Sequence, residues 1–242
     1  MTIHPGGQNI CGVSIGVLAL ESYFPKPPGH IKNPSSLNFT TLYEMLDGIT
    51  VPGLLANPDG EMKTRLIDAA KRLEAKGVRA ITGSCGFLAI FQKEIAAAVN
   101  VPVFVSSLIQ VPLAHQMTGR TVGVITASAS SLTDRHMQGV GAENTPVVVQ
   151  GLDHTDEFAT VILRNERTEM DLTKIEAELL AASEDMIARH PEIGPIVLEC
   201  TDLPPYAHAL QARLKRPVFD IVTLSEMISR AVGQTPYGGF IT

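Results

Sequence analysis

The feature that most constrains the fold of this chain is an internal repeat centred on two cysteines. The segments AITGSCGFLAIFQKEIAAAVNVPVF and PIVLECTDLPPYAHALQARLKRPVF keep one register, because aligning Cys85 with Cys200 also aligns Phe104 with Phe219. Each copy reads as a short apolar strand, a cysteine, a helix and a Pro-Val-Phe strand. A weaker match, SIGVLAL with TVGVITA, opens each copy with a strand that contains glycine. The repeat therefore predicts two similar half-chains.

The order of elements along the chain predicts the fold class. Short β-branched runs alternate with longer segments of helical period, a pattern typical of α/β proteins in which helices cover both faces of parallel sheets. The predicted strands cover residues 13–20, 78–83, 101–105, 121–126, 146–150, 195–199 and 217–221. The predicted helices cover residues 60–76, 87–99, 107–117, 130–138, 172–189, 204–215 and 223–232.

Composition and charge indicate the cellular compartment and exclude some classes of binding partner. The 242 residues include 45% hydrophobic and 18% charged residues, which is ordinary for a soluble globular protein. A net charge of −6 without a basic stripe predicts that the chain binds no nucleic acid. The sequence has neither a signal-peptide pattern nor an apolar stretch long enough to span a bilayer, so we expect a cytoplasmic protein without a membrane partner. The oligomeric state stays open, with a homo-oligomer as one alternative.

The three cysteines do not have the spacing of a disulfide framework or a zinc site. Cys11, Cys85 and Cys200 include no C-x-x-C pair, which predicts free thiols in a reducing compartment and no metal. Cys85 and Cys200 each follow a predicted strand, and ligands of open α/β sheets bind outside the carboxyl ends of strands. If the halves pack about a pseudo-twofold axis, these two thiols face each other across a shared cleft. The plainer alternative is that both are small buried core residues.

A pair of facing thiols supports a specific reaction. One thiolate can remove a proton from one face of a carbon acid while the partner thiol protonates the other face, which is a two-base racemisation. A predicted helix begins directly after each cysteine, and a helix N-terminus can lower a thiol pKa toward neutrality. The same backbone N–H groups can hold a substrate carboxylate. We therefore expect thiols with lowered pKa values that titrate as a coupled pair.

The motifs resemble those of a known superfamily. GSCGF at 83–87, LECTDLP at 198–204, VGVITAS at 122–128 and PVFDIVTL at 217–224 are similar to motifs of the aspartate/glutamate racemase superfamily. That superfamily includes cofactor-independent amino-acid and hydantoin racemases, maleate isomerases and arylmalonate decarboxylases. The resemblance covers nearly the whole chain.

The resemblance implies an α/β fold of two Rossmann-like halves with mainly parallel sheets, related by a pseudo-twofold axis, with the active site in the cleft between them. The first half would cover residues 1–106 and the second residues 107–222, with the C-terminal helix and tail, 223–242, returning to the first half. The resemblance also implies no cofactor. The catalytic acid/base pair would be Cys85 and Cys200, and the substrate-binding residues would be Ser84, Gly86, Thr126, Ser128, Thr201 and Asp202.

The motifs also differ from those of the amino-acid racemases in this superfamily. Those enzymes typically have Asn-Thr after the first cysteine and Gly-Cys-Thr around the second. This chain has Gly86-Phe87 after Cys85, and Glu199 precedes Cys200. Both cysteines are present, whereas the decarboxylases carry only one.

These observations favour a racemase or epimerase that acts on a small amino acid, a related carboxylate or a hydantoin. An isomerase or decarboxylase of a small dicarboxylate stays open, as does a non-catalytic module in which the thiols only line a ligand cleft or sense redox state. The Pro- and Ser-rich segment 24–40 predicts a long loop, and such loops often close over a site. We expect it to contribute Ser22, Asn33 or Ser35 to the pocket.

Overall fold

A computed structural model describes residues 6–58 and 60–238. Its strands form two parallel sheets, each with four strands. They are β1 (Ile15–Leu20), β2 (Thr41–Leu46), β3 (Ala80–Gly83), β4 (Val103–Phe104), β5 (Thr121–Thr126), β6 (Val147–Gly151), β7 (Ile193–Leu198) and β8 (Val218–Phe219). The strand orders, β2-β1-β3-β4 and β6-β5-β7-β8, are the same in both sheets. The predicted α/β fold of two similar halves is confirmed.

Helices connect the strands. The α-helices are α1 (Val51–Ala56), α2 (Gly60–Ala75), α3 (Gln92–Ala97), α4 (Val111–Thr118), α5 (Asp134–Gly139), α6 (Leu172–Arg189), α7 (Ala207–Leu214) and α8 (Ile221–Val232). Short 3₁₀ segments lie at Pro34–Ser36, Gly86–Phe91, Ser107–Gln110 and Pro204–Tyr206, and a π-helical turn lies at Ala159–Leu163. The segment after each cysteine therefore begins as a 3₁₀ helix rather than an α-helix.

Strand β2 is an element that the sequence patterns did not predict. It lies at the edge of the first sheet, and only its last residue, Leu46, is buried. Glu44 in the middle of the strand accepts hydrogen bonds from Arg72 of α2 at 2.6 Å and from Lys76, directly after α2, at 2.7 Å. A half-exposed edge strand that carries a charge lacks the apolar run typical of a buried parallel strand, which explains the omission.

The start of α8 corrects a predicted boundary. The sequence pattern extended the last strand to residue 221 and began the helix at 223. In the structure, the Asp220 carboxylate accepts hydrogen bonds from the N–H groups of Val222 and Thr223, each at 2.8 Å. This side chain caps the helix, so the strand ends at Phe219 and α8 begins at Ile221.

The two halves share buried contacts. Ile221 and Leu224 of α8 belong to a hydrophobic cluster with Ile15 and Phe104 of the first sheet. A larger cluster includes residues from both sheets, so apolar packing is continuous between the halves. The boundary between residues 106 and 107 stays a prediction, and residues 239–242 of the predicted tail lie outside the described residues. Within the described ranges, no helix has both the length and the apolar character needed to span a membrane.

Candidate active site

A buried cavity lies where β3 and β7 end. Cys85 comes two residues after the end of β3, and Cys200 comes two residues after the end of β7, so equivalent turns of the two sheets meet here. The cavity has a volume of about 10 Å³, which is room for about one water molecule. The thiols of both motifs are buried in its wall. The lining residues are Val51, Cys85, Gly86, Phe87, Ala127, Ile162, Glu199, Cys200, Thr201 and Asp202.

Cys200 takes part in a chain of hydrogen bonds that begins in the loop 24–40. The Cys200 thiol donates to Asp202 Oδ2 with an Sγ–Oδ2 distance of 3.4 Å. Asp202 Oδ1 lies 2.6 Å from His30 Nε2, and His30 Nδ1 accepts from the N–H of Lys32 at 2.8 Å. Because Nδ1 is an acceptor, the ring proton is on Nε2 and is donated to Asp202. The imidazole therefore orients the carboxylate that faces the thiol.

The charge of Asp202 is stabilised by its surroundings. Burial raises the pKa of this carboxyl, but the hydrogen bond from His30 and the charges of Lys32 and Lys26 outweigh that effect and hold the pKa below its ordinary value. Asp202 is thus ionised at neutral pH and can accept a proton from Cys200.

Glu199 is a second buried carboxyl group in the wall. Its Oε2 accepts a hydrogen bond from the Thr126 hydroxyl at 2.7 Å, whereas Oε1 has no hydrogen-bond partner. Burial, with a further contribution from the charge of Asp202, raises its pKa from 4.5 to about 7 even though hydrogen bonds from Thr126 and Ala127 oppose the shift. The group therefore changes charge near neutral pH.

The expectation of lowered thiol pKa values is wrong for this closed site. Burial raises the pKa of Cys85, and the charge of Glu199 adds to the effect. Burial also raises the pKa of Cys200, here reinforced first by Asp202 and then by Glu199. Backbone N–H groups of Phe87 and Asp202 act in the opposite direction but are outweighed. Desolvation and nearby negative charge thus favour the protonated thiols in this state.

The structure brings part of the predicted site together. Cys85, Gly86, Cys200, Thr201 and Asp202 all line the cavity. The Thr201 hydroxyl donates to the carbonyl oxygen of Ser84 at 2.6 Å, so it bridges the two motifs. A substrate carboxylate at this position would therefore meet backbone N–H groups more readily than this hydroxyl.

Three other predicted substrate-binding residues lie behind the lining. Ser84 Oγ accepts a hydrogen bond from the N–H of Leu20 at 2.9 Å, and the Thr126 hydroxyl holds Glu199. Ser128 Oγ bonds to the hydroxyl of Ser131 at 3.0 Å within a turn. The three hydroxyl groups are therefore engaged in internal hydrogen bonds, and that of Thr126 holds a residue of the lining.

The loop 24–40 reaches the second half of the chain. Its Gly29 packs so closely on Pro205 that a Cβ at residue 29 would lie 3.3 Å from Pro205 Cα. Its His30 is 1% exposed and bonds to Asp202, as described above. Asn33 and Ser35 are not among the lining residues of the cavity, and the Ser35 hydroxyl donates to Asn33 Oδ1 at 2.6 Å, so their contribution to a ligand site stays a prediction.

Ser22, the third residue expected from this region, is also absent from the lining of the cavity. It instead accepts a hydrogen bond from Lys32 Nζ at 2.5 Å.

Sequence reasoning missed Glu199 and His30 as site residues. An acidic residue at the end of the apolar run PIVLE was an available signal for Glu199, because burial of a charge in such a run requires a reason. No comparable signal existed for His30, which meets Asp202 across 172 positions of sequence.

Curated proteins similar to this chain share one name. No family model matches the chain. It is 30% identical over 239 residues to dimethylsulfoniopropionate lyase 3 of Emiliania huxleyi, a match that covers 93% of this chain and 61% of that protein. It is also 30% identical over 240 residues to dimethylsulfoniopropionate lyase 7 of the same organism, with coverage of 93% and 69%. The chain thus spans less than two thirds of the length of the former relative.

Solved structures with a similar fold come from the superfamily that the motifs indicated. Unliganded arylmalonate decarboxylase has a TM-score of 0.61 at 16% identity, covering 93% of this chain and 94% of that one. An aspartate racemase homologue from Pyrococcus horikoshii has a TM-score of 0.61 at 19% identity, covering 91% and 99%. The chain therefore has the fold of these structures, and it belongs to the family of dimethylsulfoniopropionate lyase 7 of Emiliania huxleyi.

Proposed function

We propose that this protein is a cofactor-independent lyase that removes the α-proton of a β-sulfonium carboxylate such as dimethylsulfoniopropionate. The observation that carries the proposal is the thiol of Cys200 in the wall of a buried cavity, hydrogen-bonded to the ionised carboxylate of Asp202. This pair is suited to proton abstraction next to a carboxylate. The names of the curated relatives support the choice of substrate.

The reaction is an elimination whose atoms and electrons balance. The Cys200 proton passes to Asp202, and the resulting thiolate takes the α-proton of the substrate. The electron pair of the broken C–H bond forms the Cα–Cβ double bond, and the pair of the Cβ–S bond leaves with sulfur. The products are acrylate and neutral dimethyl sulfide. Cys200 becomes a thiol again, and the proton on Asp202 returns to solvent.

A thiol with a raised pKa is protonated at neutral pH and cannot act as a base. The positive charge of the substrate can reverse this shift. In the closed site, burial and the carboxylates of Glu199 and Asp202 disfavour the thiolate of Cys200. A sulfonium ion next to these groups stabilises negative charge and lowers the thiol pKa. We therefore expect the base to form only when a cationic substrate is bound, which protects the thiol from oxidation in the free enzyme.

Substrate entry requires the wall to move, because the cavity has room for only about one water molecule. We propose that the loop 24–40 opens for this step. Its His30 contacts Asp202 of the other half, so opening would separate His30 from the carboxylate and closing would restore the hydrogen bond.

Product analysis tests the lyase proposal. The purified protein is incubated with dimethylsulfoniopropionate, dimethyl sulfide is measured by gas chromatography and acrylate by liquid chromatography. We expect both products in equal amounts, without added cofactor. If neither product forms above the level of a heat-treated control, this assignment of the substrate is wrong.

A racemase is the second candidate, and the thiol of Cys85 favours it. An elimination needs one base, whereas two thiols in the wall of one cavity are suited to exchange a proton on both faces of a carbon. Incubation of amino acids and hydantoins in D₂O tests this function by mass spectrometry and chiral chromatography. Deuterium at the α-carbon together with inversion would support a racemase.

A further inference from the structure

Glu199 lines the cavity and has a carboxylate oxygen without a hydrogen-bond partner. The residue is fully buried, its Oε2 is held by Thr126, and its Oε1 has no hydrogen-bond partner. A buried carboxylate oxygen without a partner is costly, and native proteins keep such groups where a proton or a ligand can compensate for them. The elimination described above assigns no role to this residue.

The packing around Glu199 fixes the position of its carboxyl group. A Cβ at residue 86 would lie 2.1 Å from the Glu199 carbonyl oxygen and 2.2 Å from Oε1, so only glycine fits there. The Oε1 atom is thus held against the backbone that follows Cys85. The same cavity is also lined by the apolar side chains of Val51 and Phe87.

The charged and titratable groups facing Glu199 supply no positive partner. Asp202 and Cys200 follow it in the same turn, and Cys85 faces it from the first half. Lys32 of the loop 24–40 acts on Asp202 and Cys85 but bonds to the Leu20 carbonyl oxygen. Within residues 6–58 and 60–238, no lysine, arginine or histidine forms an ion pair with Glu199.

We propose that Glu199 Oε1 pairs with the alkylated cationic centre of the substrate and thereby selects β-onium carboxylates over carboxylates of the same shape that have no cation. This proposal rests on the proposed function and assigns Glu199 as its specificity residue. A sulfonium or quaternary ammonium ion carries charge without N–H donors, so one carboxylate oxygen and an apolar wall satisfy it. A primary ammonium has three N–H donors, which one carboxylate oxygen does not satisfy.

Two ligands of nearly equal shape test the proposal by binding alone. 4-Methylpentanoate has a CH group where dimethylsulfoniopropionate has its positively charged sulfur, and the two are otherwise alike. Their dissociation constants are measured by calorimetry in a Cys200→Ser background, which prevents turnover, with and without Glu199→Gln. The matched control is Glu157→Gln, because Glu157 is a similarly buried carboxylate outside the cavity, paired with Arg167.

We expect Glu199→Gln to weaken binding of dimethylsulfoniopropionate by at least about tenfold and to change binding of 4-methylpentanoate less than about threefold. Glu157→Gln should leave the ratio of the two constants unchanged. A ratio that is also unchanged in Glu199→Gln would overturn the proposal. If dimethyl sulfide is never produced but the ratio depends on Glu199, the lyase assignment fails and the cation site stands.

The pH dependence provides a readout that needs no variant at position 199. The pKa of Glu199 is about 7, so the carboxyl is mostly protonated at pH 5.5 and must lose its proton to pair with a cation. Binding of the sulfonium should therefore tighten by about tenfold from pH 5 to pH 6 and by about fivefold from pH 6 to pH 7, and it should release a proton, detected with buffers of different ionisation enthalpy. 4-Methylpentanoate, which carries no cation, should show neither effect above pH 6, where its own carboxyl group is ionised. If binding of dimethylsulfoniopropionate releases no proton between pH 5 and pH 7, the proposal is wrong.

Discussion

The two halves of the chain have the same strand order, yet their cysteines lie in different chemical surroundings. Cys200 has the carboxylate of Asp202 at 3.4 Å, and Asp202 is oriented by His30. Cys85 is followed by Gly86 and a buried Phe87, and within the described part of the chain no side chain accepts a hydrogen bond from its thiol. The second half therefore has a proton acceptor that the first half lacks.

This difference shows that the repeat determines where the thiols lie, whereas neighbouring residues determine what each thiol can do. Each cysteine follows an equivalent strand, because the same arrangement of strand, turn and helix occurs in both halves. Only the second turn carries acidic residues, on either side of Cys200. We therefore expect unequal roles, with Cys200 as the base and Cys85 as a residue that contacts the substrate.

The largest expected effect comes from replacing each thiol separately. Cys200→Ser should lower kcat for dimethyl sulfide release by about 10³-fold or more, because a serine hydroxyl is a far weaker base near neutral pH. Cys85→Ser should lower it by about 10²-fold at most. Both substitutions change the side-chain volume little, and thermal unfolding checks that the fold is kept. Equal losses in both variants, together with inversion of a chiral substrate, would instead support a symmetric two-base racemase.

A smaller effect is expected from the residues that prepare Cys200. Asp202→Asn removes the proton acceptor and should lower kcat by about 10²-fold with little change in KM. His30→Ala removes the hydrogen bond that lowers the pKa of Asp202, so this pKa should rise. Because turnover of bound substrate requires ionised Asp202, the acid limb of the pH profile of kcat should move to higher pH. This profile is measured at saturating substrate, where the titration of Glu199 affects KM rather than kcat.

His30→Gln is the matched control for this effect. Its amide can still donate to Asp202, so it should keep the acid limb near its position in the parent protein. If the limb does not move in His30→Ala, the imidazole has only a packing role.

The fold could be predicted because its signals are local and repeated. Apolar runs and helical periods indicated seven of the eight strands of the structure, and β2 was missed since its half-exposed sequence carries Glu44. The repeat predicted that Cys85 and Cys200 share one cleft if the halves pack about a pseudo-twofold axis, and both line the same cavity. Such patterns determine which face of an element is buried and which strand ends meet.

The chemistry of the site could be predicted less well because it depends on tertiary contacts. The turn after each cysteine suggested lowered thiol pKa values, but burial in the closed cavity reverses that direction. His30 lies in a loop without periodicity, and nothing in that loop indicates contact with Asp202. The link between Gly86 and Glu199 was visible as two differences from the racemase motifs, but only packing shows that they are one feature.

The smallest expected effect tests that packing at the junction of the two halves. Gly86→Ala would place a Cβ 2.1 Å from the Glu199 carbonyl oxygen, which is backbone and cannot rotate away. We expect the free energy of unfolding to fall by about 2 kcal/mol, as is typical for overpacking, with a loss of the cation preference that Glu199 confers. Gly60→Ala is the control, because a Cβ at that helical position meets no atom within 4 Å and should not destabilise the protein. Chemical denaturation of both variants measures the difference. A Gly86→Ala protein as stable as the parent would mean that the two turns can separate, and Glu199 would then not be held against the cavity by the first half.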